Sequence, residues 1–184
     1  SVAYAIQRSP LIADDSTSIS LQLNNAVFLN GVKLDLLSAG CYGIGNGKIG
    51  CRDMNTAWRY DPMSPTNNFG TDSHNAHTQP DGTYHYHGSP MALFSTSDST
   101  KASPVIGFAA DGFPIFGPYF EDENGQITKA ISGYSLRIGQ RKSQTNEAAF
   151  PGGYYDGIFV DDYEFTNSGN LDECNGRTVD GQYG

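Results

Sequence analysis

Dipeptides that force the chain to turn recur throughout this sequence, and they limit it to short elements. Asn30-Gly31 and Asp111-Gly112 each stand between two apolar arms, and Asp81-Gly82 and Asn124-Gly125 mark further turns. Asn-Gly and Asp-Gly are the strongest short-range signals for a hairpin, because both supply the positive φ that tight turns need. With 22 glycines and nine prolines in 184 residues, few segments have room for a long helix. Eleven Tyr and ten Phe supply the apolar mass that a disordered chain lacks. The expected fold is mainly β: one compact domain over residues 1–184, with short antiparallel strands, long loops and few short helices.

Particular segments refine this picture. TSISLQLNN (17–25) alternates, with Ile19, Leu21 and Leu23 on one side, and reads as a strand. AVFLNGVKLDLL (26–37) reads as a hairpin about Asn30-Gly31. NTAWRYDP, GTYHYHGSP, YSLRIG and GIFVDDYEF read as further strands, and PMALF as a helical turn or a strand. VIGFAADGFPIFGPYF reads as a hairpin or bulge whose second arm, carrying Pro114 and Pro118, is kept from being a regular central strand. SDSTKASP and EDENGQIT read as a loop and a turn. The segment from Gln140 to Glu147 is the best place for a short helix.

A net charge of −9 argues against nucleic acid, whose phosphates need surplus Lys and Arg, and disfavours anionic membranes. It favours cations in general, although acidity also serves solubility alone. No apolar run is long enough for a membrane span. SVAYAIQRSP lacks the basic-then-apolar order of a signal peptide, so Ser1 reads as the start of a processed chain. Cys41 and Cys51 bracket a glycine-rich loop that a disulfide closes easily, the alternative being three reduced, buried thiols. Cys174 is then left over, as a free thiol or for a partner outside this chain.

All four histidines, His74, His77, His85 and His87, fall in SHNAHTQPDGTYHYHG (73–88). Uniform scatter would place four in such a 14-residue window with a probability of roughly 0.002. On a strand, His85 and His87 project together, with Tyr84 and Tyr86 opposite. The Gln79-Pro80-Asp81-Gly82 turn can fold His77 alongside them. Asp72 and Asp81 offer oxygens nearby. An H-x2-H-x7-H-x-H spacing therefore reads as a metal centre built from His77, His85 and His87, with His74 or an acidic side chain fourth. An all-nitrogen set leans to Cu or Zn. Surface or core histidines beside two core tyrosines are the plainer alternative.

Other candidates are weaker. Asp111 is a candidate catalytic base, though its turn position explains it without function. Asp156, Asp161, Asp162 and Glu164, followed by Asp172 and Glu173, would suit calcium, but no EF-hand spacing is present and the run reads as a solvated face. There is no G-x-S-x-G elbow, P-loop or H-E-x-x-H motif.

The tetrapeptide Tyr84-His85-Tyr86-His87 resembles the one that names the YHYH-domain family. NTAWRYDP, SHNAHTQPDGTYHYHGSP, GFAADGFPIFGPY, YDGIFVDDYEF and LDECNGR extend the resemblance over roughly residues 50 to 180, leaving the first 40 without a matched motif. The resemblance implies an extracellular or periplasmic setting and supplies no mechanism. Such domains continue past LDECNGR into an aromatic-rich strand, whereas this chain stops at GQYG; that strand and a partner for Cys174 are expected to be missing. Three functions follow: an exported metal-binding protein, a metal-dependent enzyme (a zinc hydrolase with Asp111 as base, or a copper oxidoreductase), or a metal-free adhesion or structural module.

Overall fold

The computed structural model describes residues 3–95 and 98–184; Ser1 and the first residue of the SDSTKASP loop, Ser97, lie outside them. Strands of two to five residues dominate: β1 (Ala26–Phe28), β2 (Lys33–Leu34), β3 (Ala76–Thr78), β4 (Tyr84–Tyr86), β5 (Val105–Ala109), β6 (Pro114–Phe116), β7 (Tyr119–Glu121), β8 (Ile127–Lys129), β9 (Tyr134–Leu136), β10 (Tyr163–Phe165), β11 (Thr178–Val179) and β12 (Gln182–Tyr183). A single 3-10 turn, Val160–Asp162, is the only helical element among the described residues. The mainly β expectation is met.

Six strands form one sheet in the order β3-β4-β2-β1-β5-β6, and the other six form three separate hairpins or pairs. Three of the turn dipeptides close hairpins at the predicted places: β1–β2, β3–β4 and β5–β6. The fourth, Asn124-Gly125, closes β7–β8. Pro114 opens β6, an edge strand, where a missing N–H costs no ladder bond. Every pairing in the large sheet is antiparallel except β2 with β4, which runs parallel and sets Lys33 opposite His85 and Leu34 opposite Tyr86.

That pairing organises the first core. Ala26, Phe28, Leu34, Ala76, Tyr86 and Ile106 lie on one face of the sheet, all buried. Phe28 and Tyr86 meet edge to face at 5.3 Å. Fully burying a side chain of the size of Phe28 is worth about 2 kcal/mol. A second core gathers Ala57, Trp58 and Phe159, flanked by Tyr42, Tyr60, Tyr155 and Ile158. A Cys41–Cys51 disulfide borders it, as the loop spacing predicted, and Cys174 is free and exposed.

Two buried arginines tie the loops to this second core. The Arg59 guanidinium donates to the carbonyls of Ser38 (2.8 Å), Cys51 (3.2 Å) and Asp53 (2.9 Å). Burial pulls its pKa down, and Asp161 and Asp53 oppose that. Arg141 forms a two-pronged pair with Asp162, Nε to Oδ1 at 2.8 Å and Nη2 to Oδ2 at 2.7 Å, and also contacts Asp156. Its guanidinium lies 4.9 Å from the Phe159 ring centroid.

Several expectations fail for identifiable reasons. Residues 17–25 form no strand; Ile19 and Leu23 are exposed, because no neighbouring strand gives their alternation a face to bury. NTAWRYDP contributes only isolated bridges, Cys41 to Arg59 and Tyr60 to Phe159. PMALF is a turn, with the Leu93 N–H on the Pro90 carbonyl. Gln140 to Glu147 is not helical: the Arg141 N–H bonds the Gly153 carbonyl and the Gln144 N–H bonds the Glu147 carboxylate, so tertiary partners take donors a helix would use. GIFVDDYEF breaks into a 3-10 turn and β10, since the Asp162 carboxylate accepts the N–H groups of Gly157 and Phe159. The acidic run is solvated only in part: Asp156, Asp172 and Glu173 are exposed, whereas Asp162 is fully buried on Arg141. A short aromatic-bearing strand, β12, does follow LDECNGR, and its Tyr183 ring packs on Phe113 at 4.9 Å.

Removing one member of a buried ion pair strands the other charge. Asp162→Ala should lower unfolding stability by about 3–5 kcal/mol, read from urea midpoints, while the exposed Asp98→Ala should change it by less than about 1 kcal/mol.

Candidate metal centre

The site grows from the β3–β4 hairpin. Gly82 takes φ +85°, which an L side chain resists, and lets the Gln79–Thr83 turn close with the Gln79 N–H on the Thr83 carbonyl. Register then sets His77 opposite His85, and Ala76 opposite Tyr86. Cross-strand partners point to the same face. Ala76 and Tyr86 therefore enter the core, and His77 and His85 leave by the other side. His87 continues the ladder past β4, its N–H on the Asn75 carbonyl at 2.8 Å.

The loop before β3 is latched to β4. The Tyr84 hydroxyl donates to Asp72 Oδ2 at 2.5 Å, while Asp72 Oδ1 accepts the N–H groups of His74 and Ala76. These bonds, that from Tyr84 first, hold the Asp72 carboxyl below the usual carboxylate range; the same bond pushes Tyr84 up to about 12. Asp72 is thus a latch, and Asp81 accepts the Thr83 N–H inside its turn.

The three rings converge. Their centroids stand 4.7 to 4.8 Å apart, and His87 Nε2 lies 3.1 Å from both His85 Nε2 and His77 Nε2. Two nitrogens 2.0–2.1 Å from a tetrahedral ion sit about 3.3 Å apart, so little adjustment is needed to hold one. Hydrogen bonding alone accounts for the arrangement poorly. The His77 Nδ1–H donates to the Phe69 carbonyl at 2.7 Å, which leaves its Nε2 as a lone pair. His85 Nδ1 faces the Thr83 carbonyl at a longer 3.5 Å, favouring the same tautomer. A proton on His87 Nε2 would then be shared between two acceptors, while His87 Nδ1 stays buried without a partner. A cation among the three lone pairs resolves this crowding, and a backbone acceptor on Nδ1–H is the usual support for a ligating imidazole.

Burial keeps His85 and His87 neutral. Burial, then the neighbouring His85 and His77, pushes His87 down to about 4; the Asp35 backbone and carboxylate oppose this. Burial also lowers His85. A metal need not displace protons from such rings near neutral pH.

His77, His85 and His87 are the group among the described residues able to hold a metal ion. His74 lies outside it, exposed in the loop. Asp111 sits at the tip of the β5–β6 turn, where its Oδ1 accepts the Phe113 N–H, and its electrostatic neighbours are Tyr183 and Cys174 rather than the imidazoles. The carboxylate near His85 and His87 is Asp35, paired with Lys33 at 2.7 Å. Nothing local in KLDLL marks it; only the parallel β2–β4 pairing brings it there.

Fold and site together define a β-sheet protein with a buried cluster of three imidazoles on one sheet face. The chain belongs to the YHYH family, whose model, described as YHYH protein, matches residues 3–184. Membership thus takes in the first 40 residues, for which no motif was legible. Neither a curated protein nor a solved structure matches the chain.

The depressed His87 pKa fixes a pH dependence. As pH falls below about 6.5, the unfolded chain takes up this proton first, whereas the folded ring resists until about 4. Stability of the metal-free protein should therefore drop between those values and gain no further slope from His87 below them. His87→Gln should flatten this part of a urea-midpoint series at pH 7.5, 5.5 and 4.5; parallel series would contradict the assignment.

Proposed function

We propose that this protein is exported and binds a transition metal, copper or zinc, through His77, His85 and His87. The observation that carries the reading is the convergence of three imidazoles, with His87 Nε2 3.1 Å from the Nε2 atoms of both His85 and His77 and His77 oriented by the Phe69 carbonyl. Imidazole nitrogens suit copper and zinc. Calcium is disfavoured because the acidic run is spent internally, Asp156 and Asp162 on Arg141. Export is supported by the Cys41–Cys51 disulfide, since such bonds persist in oxidising compartments.

A second reading, a metal-dependent enzyme, is favoured by one specific feature. Among the described residues no fourth His, Cys, Asp or Glu joins the three histidines. Three protein ligands with one position left for an outside group is the stoichiometry of catalytic zinc sites. In that reading Asp35, near the rings, replaces Asp111 as the carboxylate available for proton transfer or ligand orientation. A metal-free adhesion module remains the rival of both.

Titrating tag-free, metal-stripped protein with Cu(II) and Zn(II) separates these readings. One equivalent should bind well below millimolar concentration. His77→Ala, His85→Ala and His87→Ala should each weaken it by about 100-fold or more, while His74→Ala and Tyr84→Phe should bind as wild type. No binding below millimolar metal would sink the proposal, and equal loss in Tyr84→Phe would point to strand destabilisation instead. A metal-edge anomalous map would then give the element and the number of protein ligands.

A further inference from the structure

A second hollow, formed by residues outside the histidine cluster, opens beside the second core. It has a volume of about 470 Å³ and is lined by Trp58, Arg137, Lys142, Ser143, Gln144, Tyr155, Asp161 and Tyr163. That volume falls within the range of about 300–1,000 Å³ of small-molecule sites.

Its floor is strained and locked. Trp58 adopts φ +59°, a left-handed conformation that is an outlier for a bulky aromatic residue. Its surroundings enforce it: the Trp58 carbonyl accepts the Tyr42 N–H, its indole N–H bonds Glu147 Oε2 at 2.5 Å, and its ring packs on Phe159 at 5.8 Å. Such over-determined strain gathers at ligand sites.

The walls combine aromatic faces with cations. Arg137 is partly engaged, Nη1 on Glu164 and Nε on the Asp161 carbonyl, and keeps Nη2 free. Lys142 is exposed and, among the described residues, makes no ion pair or hydrogen bond. In a chain with only 11 Lys and Arg against 20 Asp and Glu, two cations on one hollow are notable. The carboxylates that border it are engaged within the protein: Asp161 by the Arg59 N–H and the Gln144 amide, Glu164 by Arg137, and Glu147 by the Trp58 indole, Ser143 and the Gln144 N–H. Among the described residues, the Tyr155 and Tyr163 hydroxyls have no hydrogen-bond partner.

We propose that this hollow binds an acidic saccharide. Its carboxylate pairs with Lys142 and Arg137, and its ring lies against the tyrosines, whose hydroxyls and Gln144 meet the sugar hydroxyls. Flat aromatic faces match the apolar C–H faces of a pyranose, while unspent polar groups match its rim. An inorganic anion would need only the cations; a neutral sugar would need only the rings.

The test uses Trp58, the single tryptophan, as an internal reporter. Full-length protein is titrated with trigalacturonate, with neutral maltotriose, and with sodium sulfate, following tryptophan emission and confirming by calorimetry. Trigalacturonate should give a saturable change with a millimolar or tighter midpoint, weakened several-fold by raising salt from about 20 to about 200 mM. Lys142→Ala should weaken binding at least tenfold. Lys101→Ala, the same charge change at an exposed residue paired with Asp98, should not. Failure to bind trigalacturonate by either method, an equal response to maltotriose, displacement by equimolar sulfate, or undiminished binding in Lys142→Ala would each overturn the proposal.

Discussion

The parallel pairing of β2 with β4 is the contact on which the rest of the large sheet depends. It joins the β1–β2 hairpin to the β3–β4 hairpin, setting Lys33 beside His85 and Leu34 beside Tyr86. One face of that junction becomes core, where Tyr86 meets Phe28 and Leu34. The other becomes the histidine face, with Asp35 close to the rings. Because side chains alternate across a strand, a slip of one residue would exchange the two faces, burying imidazoles among Phe28 and Ile106 and exposing the tyrosines. Packing and site are held by the same register.

The second half of the chain is organised differently. Around the second core the strands pair only in twos, and buried ionic groups tie the loops together. Arg59 gathers carbonyls near the disulfide, and Arg141 clamps Asp162 beneath the Phe159 ring. Buried charges of this kind fix one arrangement strongly, since each charge left alone in the interior is costly. Nearby, Trp58 is held in its unusual backbone conformation by the Tyr42 N–H, Glu147 and Phe159.

How much of this was legible in the sequence varied with the range of the interaction. The four turn dipeptides marked their hairpins correctly, because a positive φ is a local demand that few residues meet. His77, His85 and His87 were legible as a group for the same reason: one tight turn and one alternating strand suffice to bring them together. His74 fell outside the group, since its position depends on a loop held by the Asp72–Tyr84 latch. Asp111 takes the turn role its position suggested, and its neighbours are Tyr183 and Cys174 rather than the imidazoles. The supposed strand at 17–25 and helix at 140–147 failed because periodicity describes what a segment can bury, not what lies beside it.

The sequence by itself determined the β-rich class, the hairpins, the short disulfide loop and the three-imidazole set, all products of contacts spanning no more than about a dozen residues. Only the tertiary structure decided that Asp35 stands near the rings, that Asp162 is buried on Arg141, and that Trp58 lines a hollow with Arg137 and Lys142. Each of those depends on pairing between distant segments, whose register is chosen by the burial of whole faces and by the satisfaction of buried charge rather than by any local preference.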